Sequence, residues 1–263
     1  MIKSLQPAVY FVGAGPGDPE LLTVKAQRLL SQADVIVVAD SLVPTQILQG
    51  VRDDAEIVRT ANKTLEEILP LMITRVQSGH SVIRLHSGDP SLYSAIGEQI
   101  QRLNDAGIPL EVVPGISAFQ EAAAKLKTEL TVPEVVQTII LTRFNGAATS
   151  VPERESLASL AAHQASLCLY LSARHVENAQ QALIEHYPGD TPVAICYRLG
   201  WPDEKIFVVP LTEMAHCTET ENLIRTTLYV ISPALRPNSQ NWRSGLYNPQ
   251  HSHLFRKPKV QES

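Results

Sequence analysis

Two segments carry the residues best suited to chemistry. One is Val9-Tyr10-Phe11-Val12-Gly13-Ala14-Gly15-Pro16-Gly17-Asp18-Pro19, and the other is Arg84-Leu85-His86-Ser87-Gly88-Asp89-Pro90-Ser91-Leu92-Tyr93. Each is a short apolar run ending in residues that fix backbone shape. In an α/β sheet the ends of neighbouring strands are where ligands sit. Pro90 favours an extended Asp89, which would hold that carboxylate clear of a following helix. A carboxylate fixed there can accept from ribose hydroxyls or an amino group, or Asp89 and Ser91 can simply cap a helix.

The glycine loop invites a dinucleotide reading, with Asp40 standing where a ribose-binding carboxylate belongs. Two residues argue against it. The third glycine of that fingerprint would fall on Asp18, whose charge would face a pyrophosphate, and Pro16 removes an N–H donor. No Gly-Lys-Ser/Thr follows, so a P-loop is excluded. A rigid turn remains: three glycines allow close approach and Pro16 stiffens them.

The elements that would position these residues alternate between strand and helix. The patterns predict strands over Ala8–Val12, Val35–Ala39, Ser81–Leu85 and Leu110–Val113, then Gln137–Leu141, Ser166–Leu171, Pro192–Tyr197, Lys205–Val209 and Thr227–Ile231. Thr23 is expected to cap a helix through Leu30, and Ser91 one through Asn104 with Gly107 as its stop. Thr64-Leu65-Glu66-Glu67 reads as a capping box, while Pro70 should kink that helix or shift its start. The alternation argues for a mainly parallel first sheet. The loop containing Gly200, Trp201 and Pro202 suits an antiparallel pair, making the second sheet mixed. Expected domains are 1–114 and 115–236, divided at Pro114-Gly115, with 237–263 a polar, disordered tail.

Composition excludes several classes. The 263 residues hold 22 Lys and Arg against 27 Asp and Glu, a net charge of −5 without the basic stripe of a nucleic-acid binder. No run approaches the ~18 apolar residues of a membrane span, and the opening Met1–Pro7 has no signal-peptide core. A cytoplasmic protein is expected. Cys168, Cys196 and Cys217 are odd in number and widely spaced, so neither a disulfide framework nor a metal site is expected.

Gly13–Pro19, Arg84–Pro90 and Val112-Val113-Pro114-Gly115-Ile116-Ser117 together resemble the tetrapyrrole (corrin and porphyrin) methylases, and the likeness covers about residues 8 to 235. Leu85–Tyr93, Ser117–Ala124, Pro133–Thr138, Ile140–Arg143 and Trp201–Lys205 resemble the branch acting in cobalamin synthesis. The resemblance implies the two-domain α/β fold of that family, a homodimer, and S-adenosylmethionine held between the domains. The implied reaction is methyl transfer to carbon 11 of precorrin-4; the alternatives are its cobalt form, another tetrapyrrole, or a nucleotide-binding regulator without catalysis. Carried over by position, the cofactor contacts would be Pro16, Ser87, Gly88, Asp89, Leu92, Ser117, Ala118, Leu171, Leu199, Thr226, Thr227 and Leu228. Two departures stand out: Asp40 occupies a position expected to be glycine, and Pro70 interrupts a helix that is usually unbroken.

Methyl transfer from a sulfonium needs in-line geometry more than a catalytic dyad. His86 and Tyr93 flank the second turn and are the candidate proton carriers. The substrate is an anionic tetrapyrrole, so Arg84, Arg143, Arg198 and Lys205, at or near strand ends, are candidate carboxylate clamps.

Overall fold

The computed structural model describes residues 5–145, 150–236, 252 and 254. Apart from two positions, the tail expected over 237–263 therefore lies outside the described residues. The chain forms two compact units: Met1–Ala122 with Arg198–Lys205, and Ala123–Tyr197 with Ile206–Ser263. Among the described residues no helix is long and apolar enough to cross a membrane.

The first unit is built on five parallel strands: β1 (Val9–Gly13), β2 (Val35–Val38), β3 (Glu56–Arg59), β4 (Val82–His86) and β5 (Leu110–Val113). Their order is β3-β2-β4-β1-β5. Strands β1, β2 and β4 are buried throughout, as continuous apolar runs at the centre of a parallel sheet should be. Helix α1 (Val24–Leu30) covers one face, packing Ala26, Leu29 and Leu30 on Tyr10, Val12, Ile36 and Leu85. Helices α2 (Leu65–Gln77) and α3 (Ile96–Asp105) cover the other, packing Leu69, Met72 and Leu103 on Val9, Phe11 and Val37. Each fully buried Leu, Met, Val, Ile or Phe among these contributes roughly 1.5–3 kcal/mol.

Capping chemistry sets the helix starts. Thr23 Oγ1 accepts from the Ala26 amide at 3.1 Å, and Thr64 opens α2 with the expected capping box, its amide donating to Glu67 Oε2 at 2.8 Å. Pro70 does not shift the start of α2, which runs unbroken across it. The helix expected from Ser91 instead begins at Ile96. Asp89 Oδ1 captures both the Ser91 amide and hydroxyl, and Tyr93 and Ala95 take left-handed backbone (φ 57° and 49°), which a right-handed helix cannot include. The stop at Gly107 holds, with φ at 66°.

The second sheet comprises β6 (Ile139–Arg143), β7 (Ser166–Tyr170), β8 (Pro192–Tyr197), β9 (Lys205–Pro210) and β10 (Thr227–Ile231), in the order β6-β7-β10-β8-β9. β6 and β7 run parallel, while β10 is antiparallel to β7 and β8, so the sheet is mixed. Helices α5 (Leu157–Ala161), α6 (Val176–Ile184) and α7 (Met214–Thr220) bury Ala161, Leu183 and Met214 against Leu167, Ile195 and Tyr229. Cys168 and Cys196 are buried on β7 and β8, and Cys217 is half-buried on α7. The first division between the units falls inside helix α4 (Ala118–Lys125), between Ala122 and Ala123.

Candidate active site

Strand order locates a crevice in the first unit. From β1 the chain goes to α1 on one face, whereas from β4 it goes to α3 on the other. Adjacent strands whose connections leave to opposite faces mark a topological switch point, and ligands bind beyond the carboxyl ends of such strands. The two turns singled out above follow β1 and β4.

They are joined directly. The Gly88 amide donates to the Gly15 carbonyl at 2.8 Å, and the Gly15 amide returns a bond to Gly88 at 3.2 Å. Gly13 packs beneath them so closely that an added Cβ would lie 2.6 Å from the Gly115 Cα and the Gly88 carbonyl oxygen. Only glycine permits three backbones to meet there. Asp89 ties in the third segment, its Oδ2 accepting from the Gly115 amide at 2.8 Å. Burial alone would raise the Asp89 pKa, but bonds from the Ser91 hydroxyl and the Gly115 and Ser91 amides outweigh it and hold the carboxyl below its usual range. Both its oxygens are engaged with its own turn and with Gly115.

Around this floor, Pro16 is buried, Ser87, Gly88, Asp89 and Leu92 are half-buried, and Ser117 is 6% exposed at the entrance to α4, where Ala118 begins the helix. Tyr93 is exposed. His86 is buried and stacks on Phe11 with ring centroids 5.9 Å apart; its Nε2 has no partner among the described residues. Burial, followed by the nearby Arg84 charge, pushes its pKa down to about 3. Arg84 lies in the interior of the unit, not at an open strand end. Its guanidinium donates to the Val37 carbonyl at 3.3 Å and Thr60 Oγ1 at 3.1 Å, and burial pushes its pKa down to about 10. Asp40, the departure from glycine, accepts from the Thr60 and Ala61 amides at 3.0 and 2.9 Å and so fastens the loop after β3.

The segment Arg198–Lys205 belongs to the same unit. Arg198 pairs with Asp203 and lies 3.9 Å above the Trp201 ring; Leu199 is buried and Lys205 is exposed. Gln46 Nε2 donates to the carbonyls of Gly17 and Gly200, both at 2.8 Å. Neither Gln46 nor Thr60 belongs to a motif that sequence reasoning could single out.

In the second unit, Leu171 follows β7 with φ at 52° and is 66% exposed, an unusual combination for a large apolar residue. Thr226, also left-handed, precedes β10 and is half-buried. Thr227 and Leu228 are buried, the Thr227 hydroxyl donating to the Leu223 carbonyl at 2.6 Å. Arg143 ends β6 and donates to the Ser150 carbonyl at 3.3 Å.

A profile of the Tetrapyrrole (Corrin/Porphyrin) Methylases matches residues 8–215. The chain is 46% identical over 248 residues to the precorrin-4 C(11)-methyltransferase of Pseudomonas aeruginosa, covering 94% of this chain and 98% of that one. Its fold is similar to the X-ray structure of a cobalamin biosynthetic enzyme, cobalt precorrin-4 methyltransferase, with TM-score 0.84 and 40% identity over 88% of this chain and 97% of the other. It is also similar to the uroporphyrin-III C-methyl transferase of Thermus thermophilus complexed with S-adenyl homocysteine, with TM-score 0.71 and 27% identity over 87% and 99% of the two chains. Bridged glycine turns at a switch point, a parallel and a mixed sheet, and likeness along nearly the whole chain lead to one conclusion: the protein belongs to the tetrapyrrole (corrin/porphyrin) methylases.

Proposed function

We propose that the protein transfers a methyl group from S-adenosylmethionine to carbon 11 of precorrin-4 in cobalamin synthesis. The observation that carries this reading is the floor built by Gly13, Gly15, Gly88 and Gly115, in a chain 46% identical to a precorrin-4 C(11)-methyltransferase. When bound, S-adenosylmethionine supplies an electrophilic methyl group on a sulfonium. The residues present suit that donor. Ser87 and Gly88 offer backbone and small side chains, and the ionised Asp89 carries the sign that attracts a sulfonium.

The chain's part is mainly positioning, which can supply about 7–11 kcal/mol of barrier reduction for well-oriented partners. Pro16, Ser87, Gly88, Asp89, Leu92, Ser117, Ala118 and Leu199 are the proposed donor contacts of the first unit; Leu171, Thr226, Thr227 and Leu228 are those of the second. The exposed Leu171 and the left-handed Thr226 have the character of functional strand ends. A histidine held near pKa 3 is a poor base at neutral pH, so His86 serves as a neutral packing wall. Tyr93 then becomes the proposed carrier of the proton leaving the macrocycle. Arg143, Arg198 and Lys205 are proposed to meet substrate carboxylates, with Arg84 acting from beneath through its field. The family resemblance adds a homodimer, to be checked by sedimentation.

A second reading has specific support: the fold neighbour named cobalt precorrin-4 methyltransferase is 40% identical. There the cobalt is part of the substrate. Incubation with S-adenosylmethionine and either precorrin-4 or its cobalt form decides between the readings. S-adenosylhomocysteine and a product heavier by one CH2, a methyl group gained and a proton lost, are expected with one of them. Binding of S-adenosylhomocysteine without turnover on either would instead favour a regulator.

A further inference from the structure

Gln46 lies on the helical turn Thr45–Leu48 after β2, and its side chain joins two distant pieces of chain. One amide nitrogen carries two hydrogens, so its bonds to the Gly17 and Gly200 carbonyls form together, each 2.8 Å long. The contact they close is tight. A Cβ on Gly17 would lie 2.6 Å from the Leu199 carbonyl oxygen and 2.7 Å from Trp201 Cδ1, and one on Gly200 would strike the Asp18 amide. The second loop is stiffened from within: the Gly200 amide donates to Glu204 Oε2 at 2.7 Å, and the Trp201 amide to the Arg198 carbonyl at 3.0 Å.

Pro16 immediately precedes Gly17, and Leu199 immediately precedes Gly200. We infer that Gln46 is a positioning residue for the methyl donor, its one amide holding the Pro16 turn and the Leu199 turn in the spacing the donor needs. The inference rests on the proposed role of those two residues as donor contacts. Holding both turns before the ligand arrives removes an ordering cost from binding. Without the clip, apparent affinity falls by the fraction of protein whose turns still meet. Loss of the two net hydrogen bonds corresponds to about a fivefold or greater weakening.

The test uses the full chain with Gln46→Glu, which keeps the shape but turns an acceptor toward two carbonyls, and Gln46→Ala. Calorimetry with S-adenosylhomocysteine should show Kd raised about fivefold or more in both variants. In turnover, KM for S-adenosylmethionine should rise in parallel, with kcat within about twofold. A purely structural role would lower kcat at constant KM, and that result overturns the inference. So do unchanged Kd values, or a melting temperature that collapses in both variants. Absence of heat from the unaltered protein would bring down the donor-binding reading itself. The clip can still be judged by hydrogen exchange across 198–205, which accelerates in Gln46→Ala if the amide holds that loop.

Discussion

Gly15 and Gly88 exchange amide-to-carbonyl bonds across the carboxyl ends of β1 and β4, at 2.8 and 3.2 Å. This pair fuses two turns from distant parts of the sequence into one surface. The strands beneath are already parallel neighbours in register, Gly13 opposite His86, and two residues further on the turns close on each other in an antiparallel bridge. The turns therefore cannot move independently, and a change in either should be felt in both.

Gly13→Ala should be strongly damaging in the first unit. The new methyl would sit 2.6 Å from three backbone atoms, none of which can rotate away. Overpacking of this kind costs typically about 1–3 kcal/mol. Thermal melting should show the loss together with weaker S-adenosylhomocysteine binding; an unchanged melt would refute the packing argument.

Asp89→Asn keeps one acceptor but turns an NH2 group toward a donor, either at Ser91 or at Gly115. A loss of about 1–2 kcal/mol is expected. The wild-type carboxyl is lowered from its ordinary 3.8. Its contribution is thus complete above that pH and disappears as pH falls through the lower folded value. The variant should lack this component, so melting curves at pH 3 and pH 7 should converge more than in the parent.

His86 should make the fold acid-sensitive over a higher range. Burial and Arg84 lower its pKa from 6.5 to about 3, so the folded state favours the neutral ring. Stability from this group is complete above pH 6.5 and falls by at most about 1.4 kcal/mol per pH unit down to pH 3. His86→Phe retains a ring against Phe11 and should flatten that limb in urea titrations. Parallel pH profiles for the two proteins would sink the assignment.

Pro70→Ala should stabilise. Inside α2 the proline has no N–H to donate to the Glu66 carbonyl, and its side is exposed, so alanine fits without a clash. A gain of about 1–3 kcal/mol is expected from helix propensity and the restored bond. No rise in melting temperature would mean that α2 bends at this point to suit its neighbours.

What could be read from sequence tracks how local the cause is. The Thr23 cap, the capping box at Thr64 and the strands Leu110–Val113, Pro192–Tyr197 and Thr227–Ile231 depend on adjacent residues, and their bounds agree with the structure. Glu56–Arg59 escapes because it is a four-residue edge strand with a charge at each end and mostly exposed side chains. The start of α3 escapes because nothing in Tyr93-Ser94-Ala95 announces left-handed backbone. Gln46 escapes for a stronger reason: its partners lie 29 and 154 positions away and are bare carbonyls, which no residue pattern encodes. Arg84 was legible as a cation near a ligand turn, but not its burial on the face shared with Val37 and Thr60.

Cys168 gives the second unit a chemical reporter of its own. The thiol sits where β7 meets β10, opposite Val230, and burial pushes its pKa up to about 12. Alkylating reagents need the thiolate, so modification at this position must wait until those two strands part. The timing of that labelling would reveal whether damage done at Gly13 or Asp89 stays local or spreads through the whole chain.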